Sequence, residues 1–297
     1  MRATYQIFTD MSCDLEEQEL ERLEVLCLPI GLSIDGEDYP DSRGQMPNVN
    51  DFYEMQKACN GKTTTYGINA VVAIEAFKPI LEAGRDILFI GIDPEMSTAS
   101  WAGLDIAKNE LQGKYPERRI EMPNTHSIAP GLGLLVTKVV EQRNQGISLD
   151  EAINLVDYYA ERVVHYFTVE KLEQLEKSGR VSKLQAIIAG IAGVRPLMCL
   201  PYSGMIKSIG RVKGSKAVIS ALADRVENEI ADSHDSVWIA FGGAKNHGRA
   251  EELMFAVLER CPDAKTRVHR IGPIIGAHTG ETVLAVFFLA SGRNDGS

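Results

Sequence analysis

The sequence contains no apolar run approaching the ~20 residues that a helix needs to cross a bilayer. Its first residues, Met1-Arg2-Ala3-Thr4-Tyr5-Gln6, lack the apolar core of a secretory signal. A cytoplasmic protein without stable membrane insertion is expected. Cysteine is sparse: Cys13, Cys27, Cys59, Cys199 and Cys261 are scattered, odd in number and never spaced Cys-x-x-Cys, which argues against a disulfide frame or a zinc site. Basic residues are in deficit, 31 against 41 acidic, and the net charge of −10 argues against broad nucleic-acid binding. Familiar catalytic signatures are also missing: no Gly-x-Ser-x-Gly elbow, Walker loop, His-Glu-x-x-His or full Rossmann glycine fingerprint occurs. No catalytic residue, metal or cofactor is assigned, and binding is favoured over catalysis.

What is present is an ordinary globular composition, 44% hydrophobic and 24% charged, over 297 residues, enough for two domains. The first half alternates strand-like and helix-like stretches. Residues 4–9, 25–34, 86–92 and 119–122 read as strands; 51–59, 69–81, 97–111 and 131–143 read as helices. Residues 86–92, Asp-Ile-Leu-Phe-Ile-Gly-Ile, are nearly continuous apolar, as in a strand covered on both faces. This alternation predicts a parallel sheet flanked by helices.

Ser148, with Glu151 three residues on, is a capping-box start for another helix. Beyond it, strands are expected at 163–169, 196–200, 205–211, 237–241, 266–271 and 283–289. Helices are expected at 181–191, 213–230 and 246–259. The closer spacing of strands predicts a mixed sheet. The fold class is therefore α/β in two domains: a parallel-sheet α/β/α domain over 1–161 and a mixed-sheet α/β domain over 162–297, with a ligand cleft between them.

Polar clusters fall where strands should end, the place where open parallel sheets gather ligands. Thr63-Thr64-Thr65 reads as preceding a helix, so its hydroxyls and the helix-start amides either bind an anion or simply cap the helix. Ser97 and Thr98 follow the strand ending near Ile92, beside Asp93, which repels an anion unless paired or protonated. Asn124 and His126 hold the equivalent position after the next strand, as cleft residues or as turn formers. Ser12 or Asp14 is a candidate helix cap. Arg180, next to Gly179, offers a guanidinium fork to an anion or a partner, and Arg211, Lys213 and Lys216 add local positive charge.

The run 272–280, Gly-Pro-Ile-Ile-Gly-Ala-His-Thr-Gly, reads as a glycine-rich, proline-braked loop ahead of a buried strand. It sets His278 where an imidazole can be held in one orientation, either for a ligand or satisfied by a backbone carbonyl.

Taken in order, these segments resemble the DegV family over nearly the whole chain. The resemblance rests on Phe8-Thr9-Asp10-Met11-Ser12-Cys13-Asp14-Leu15, Pro29-Ile30 with Asp35-Gly36 and Tyr39, and Thr63-Thr64-Thr65. It continues through the Ser97 region, Gly131-Leu132-Gly133, Ser178-Gly179-Arg180-Val181-Ser182 and the run 272–280. It implies a two-domain α/β protein that buries a long-chain fatty acid between its domains and presents the carboxylate to a separate ATP-dependent kinase, which forms an acyl phosphate. By position it implies ligand contacts from Thr63, Thr64, Ser97, His278 and Thr279, and a partner surface including Arg180, Arg211 and Lys213. Lys213 stands where the family usually has arginine. Two departures are evident: Thr65-Tyr66-Gly67 replaces the Ser-Gln-Pro of the family's threonine run, and Asp93-Pro94 replaces a serine pair, of which Pro94 has neither hydroxyl nor N–H.

Two other readings stand beside the carrier. One is a divergent small-ligand enzyme using Asp93 and His278 as acid and base. The other is a regulatory binder of a different carboxylate or a phosphate.

Overall fold

The computed structural model describes residues 4–40, 48–181 and 193–293. The first part of the chain runs β1 (Tyr5–Asp10), α1 (Glu17–Arg22), β2 (Leu26–Leu28), β3 (Leu32–Ile34), β4 (Glu37–Tyr39), α2 (Val49–Ala58) and β5 (Thr63–Thr65). It continues through α3 (Ala70–Glu82), β6 (Asp86–Phe89), α4 (Thr98–Lys114), β7 (Ile120–Glu121), α5 (Ala129–Arg143) and α6 (Leu149–Ala160). Strands β2-β1-β6-β7 form a four-stranded sheet whose pairs are all parallel. The burial of every residue of β1 matches a strand covered on both faces.

The second part supplies β8 (Val163–Thr168), α7 (Glu173–Ser178), β9 (Val194–Cys199), β10 (Lys207–Lys213), α8 (Ser215–Glu229), β11 (Ser236–Phe241), α9 (His247–Arg260), β12 (Lys265–Arg270), α10 (Pro273–Thr279) and β13 (Leu284–Leu289). Its six strands, in the order β10-β9-β8-β13-β11-β12, form a mixed sheet in which only β11 and β12 run parallel. The α/β class, with one parallel and one mixed sheet, is as expected. Among the described residues no helix is long and apolar enough to cross a membrane. The helix expected at 181–191 lies, apart from Val181, outside the described residues.

Several local expectations are corrected. The extended stretch 25–34 is two strands in two sheets: β2 joins the parallel sheet, while β3 turns into a small antiparallel sheet with β4 and β5. Thr63–Thr65 is that third strand and not a helix start; helix α3 begins later, with Asn69 Oδ1 accepting from Val71 N at 2.8 Å. The supposed loop at 272–280 is helix α10, with Pro273 in its first turn and Gly280, at φ 76°, ending it. Neither Ser12 nor Asp14 caps α1; Asp10 instead accepts from Ser12 N and starts a single 3-10 turn. The Ser148–Glu151 capping box forms as expected.

Two helices stitch the halves together. Helix α5 is apolar around most of its circumference, the pattern of a fully buried helix, and packs against β8, β11 and β13. Its Gly131 and Gly133 are packing glycines: a Cβ would stand 2.3 Å from His165 Nε2 on β8 and 2.7 Å from the carbonyl of Cys13, respectively. Helix α10, although late in sequence, packs on β5 and α2 and buries Ile274 and Ala277 among Phe8, Phe52 and Phe77.

Candidate functional site

The parallel sheet delivers three loops to one rim, beyond the carboxyl ends of β1, β6 and β7. Asp10, at the end of β1, is fully buried; its carboxylate accepts from Ser12 N at 2.9 Å and Ile92 N at 2.8 Å, tying the first loop to the second. Burial raises the Asp10 pKa, while the Ser12 and Ile92 hydrogen bonds pull it back. Thr125 Oγ1 donates to Gly91 O at 2.7 Å, and Asp93 N donates to Ser127 O at 3.0 Å, tying the second loop to the third.

Over this rim lies helix α10, and between them is a cavity of about 50 Å³. From the first half its wall includes Ile30, Thr65, Ile92, Met96, Ser97 and Ile128. From the second it takes Leu175, Ser178, Arg180, Ile206, Ile274, Ile275, His278 and Thr279. The wall is thus an isoleucine-rich surface with polar side chains gathered around His278 and Arg180. Its volume exceeds the ~10–15 Å³ that one water needs but falls short of the ~300 Å³ at which pockets for drug-sized ligands begin. A long ligand therefore enters only as these apolar side chains separate.

His278 Nε2 lies 2.9 Å from Thr65 Oγ1. Burial first, and the Arg180 guanidinium second, push the His278 pKa down to about 4, so the imidazole is neutral near pH 7. Arg180 donates through Nε to Met96 O at 3.3 Å and through Nη1 to Ser178 O. Ser97 Oγ donates to Ser100 Oγ at 2.8 Å.

The threonine run divides by strand periodicity, because alternate side chains leave opposite faces. Thr63 and Thr65 share the face toward α10; Thr64 points away and is exposed. The Thr63 hydroxyl is used structurally: it donates to Ala277 O at 3.0 Å and accepts from Gln56 Nε2 at 3.2 Å and Gln174 Nε2 at 2.9 Å. Thr279 reaches the cavity wall while its hydroxyl donates to Ile275 O at 3.1 Å.

The remaining sequence candidates are elsewhere. Asp93 is fully buried, accepts from Glu95 N at 2.6 Å and faces His126 Nδ1 at 3.5 Å. His126 is held at φ 47° and stacks on Tyr202, with ring centroids 4.0 Å apart. Arg211 and Lys213 are exposed on the edge strand β10, two residues apart and so on one face. Arg180 is tied to the other end of that segment, where Ile206 N donates to its carbonyl at 3.1 Å.

Sequence reasoning passed over Gln56 and Gln174, and it named Thr65 only as part of the threonine run, not as a ligand residue in its own right. The signal for Thr65 was the period-two spacing from Thr63, hidden when the run was read as a helix start. A larger open hollow of about 1080 Å³ runs along β2 and α1, with Glu17, Glu21 and Glu24 on its wall. Its Arg143 is committed to the carbonyls of Leu23 and Glu24, and none of the sequence-derived site residues line it. The smaller cavity is therefore the candidate site.

A family model described as uncharacterised protein of the DegV family matches residues 4–291. The chain belongs to the DegV family. A DegV domain-containing protein of Clostridium perfringens is 29% identical over 284 residues, 95% of this chain and 96% of its own. In structure, the fatty acid binding DegV family protein of Streptococcus agalactiae is similar at a TM-score of 0.83 and 23% identity, covering 97% of this chain and 99% of its own. The fatty acid kinase B3 protein of Streptococcus pneumoniae, solved with linoleic acid, is similar at a TM-score of 0.82 and 20% identity, covering 97% and 99%. At these identities the structural likeness establishes the DegV fold.

Proposed function

We propose that this protein binds a long-chain fatty acid between its two halves, divided near residue 161, and presents the carboxylate to a separate kinase. The observation that carries this reading is the cavity itself, whose isoleucine-rich wall ends in Thr65, Ser97, His278 and Arg180. An amphiphile with one anionic end matches that division. A buried carboxylate needs a counter-charge and hydrogen bonds. Arg180 supplies the charge, neutral His278 a ring N–H, and Thr65 and Ser97 hydroxyls. Thr63 and Thr279 act behind them, holding α10 in place, and Thr64 takes no part. Each methylene buried contributes about 0.8 kcal/mol, which offsets the cost of parting the apolar wall. The S. agalactiae and S. pneumoniae proteins, by what they bind, support the same ligand class.

The chain's own residues then bind and orient the acid, and phosphoryl transfer belongs to the partner, as the name of the S. pneumoniae protein suggests. Arg211 and Lys213 offer that partner a cationic edge, and Arg180 marks the carboxylate end of the cavity. The acid–base reading of Asp93 with His278 loses support, because Asp93 is engaged by Glu95 N and faces His126.

Native mass spectrometry of freshly purified protein, followed by denaturing lipid extraction, tests the reading. A bound mass matching a long-chain fatty acid is expected. Protein that arrives empty and also refuses added palmitate and oleate after delipidation would overturn it.

A further inference from the structure

Away from the cavity, two arginines converge on one carboxylate. Arg195 on β9 donates through Nη2 to Glu170 Oε1 at 2.5 Å, and Arg249 on α9 donates through Nη1 to the same oxygen at 3.1 Å. Arg249 Nη1 also reaches Asn246 Oδ1 at 3.2 Å. Both arginine side chains are largely buried, at 19% and 15% exposure, whereas Glu170 is 38% exposed.

The donors are under-used. Arg195 Nη1 and Arg249 Nε and Nη2 are all buried and have no hydrogen-bond partner among the described residues. Two guanidiniums share the one carboxylate that touches them, and each carries five N–H groups. Burial and the neighbouring Arg195 both lower the Arg249 pKa, as two like charges held together out of water require. In an acidic protein, a buried pair of cations with idle N–H groups is an unfilled demand for an anion.

The surroundings suit an anion that enters by displacement. Glu170 follows β8, where its backbone N donates to Thr282 Oγ1 at 3.0 Å, and its partly exposed side chain would release only the two arginines on swinging away. Arg249 stands in the first turn of the 14-residue α9, after the Gly242-Gly243 loop at the carboxyl end of β11. Opposing charge comes from Glu252, whose carboxylate acts on Arg249, and Glu281 Oε2 lies near Gly243.

We propose that Arg195 and Arg249 form an oxyanion site for a phosphate group, with Glu170 as a resident carboxylate that the phosphate replaces. A carboxylate already sits there and leaves three guanidinium nitrogens idle among the described residues; a tetrahedral dianion offers more oxygens in more directions and takes them up. The site is independent of the fatty-acid reading.

Titration calorimetry with inorganic phosphate and with methyl phosphate, on delipidated and on lipid-loaded protein, tests it. Saturable 1:1 binding is expected, tightened about tenfold in Glu170→Gln and weakened about tenfold or more in Arg195→Lys and Arg249→Lys. Binding of both probes marks a phosphate-ester site, and binding of inorganic phosphate alone a free-phosphate site; either supports the assignment. No saturable binding by the wild type or by a folded Glu170→Gln variant, or binding that survives the double lysine variant, would overturn it.

Discussion

His278 Nε2 and Thr65 Oγ1, 2.9 Å apart, join a helix from the end of the chain to a strand from its beginning at the polar end of the cavity. Losing one such hydrogen bond costs about 0.5–1.5 kcal/mol. Thr65→Val is therefore expected to weaken fatty-acid binding by about 2- to 10-fold. Thr64→Val, on the exposed face, leaves it unchanged. Displacement titrations on delipidated protein measure both, and a larger effect at Thr64 would refute the assignment of faces.

Thr63 sits on the same face but serves α10 through Ala277 O and the amides of Gln56 and Gln174. Thr63→Val should lower unfolding stability by about 1 kcal/mol, read from urea midpoints, and affect ligand affinity less than Thr65→Val does.

The histidines make stability acid-sensitive. His278 and His269 both titrate near 4 in the folded protein against 6.5 for an unperturbed imidazole, chiefly through burial. Between those values the unfolded chain holds protons that the folded chain does not, so stability falls as pH drops from about 6.5 toward 4. His278→Gln should flatten part of that fall in urea midpoints measured across the window; an unchanged slope would count against a neutral, buried His278.

Burial chiefly lowers the His278 pKa, and Arg180 adds to that lowering while supplying the cavity's positive charge. Arg180→Gln removes the cation that depresses His278, so the His278 pKa should rise, as followed by NMR titration. The same variant loses the counter-charge, and fatty-acid affinity should drop by about tenfold or more. Unchanged affinity would place the carboxylate elsewhere.

Packing at Gly276 fixes where α10 sits. A Cβ there would stand 2.7 Å from Tyr53 Oη and 2.8 Å from Phe52 Cε1, both on α2. Gly276→Ala should cost about 1–3 kcal/mol by overpacking, and the shift of α10 should weaken ligand binding as well. A variant as stable as wild type in urea would show that the contact relaxes freely.

Much of the fold was legible because hydrophobic runs and caps are local signals. The apolar run beginning at Asp86, the capping box at Ser148 and the apolar strand ending at Leu289 all appear where the sequence places them. Errors fell where a short segment's partner is distant. Residues 25–34 look like one strand because both pieces are apolar, yet they pair with β1 and with β5 in different sheets. The run 272–280 looks like a loop by its glycines; packing against α2 and β5 makes it helical.

By itself the sequence determined the α/β class, the parallel and mixed sheets and the family, since periodicity, capping and ordered motifs reside in contiguous residues. Tertiary structure alone decided that Thr65 rather than Thr64 meets His278, that Asp93 turns to His126 and that Arg180 faces the cavity. Those outcomes depend on which face of a strand is covered and which loops meet at a rim, and both are set by pairings between residues far apart in the chain.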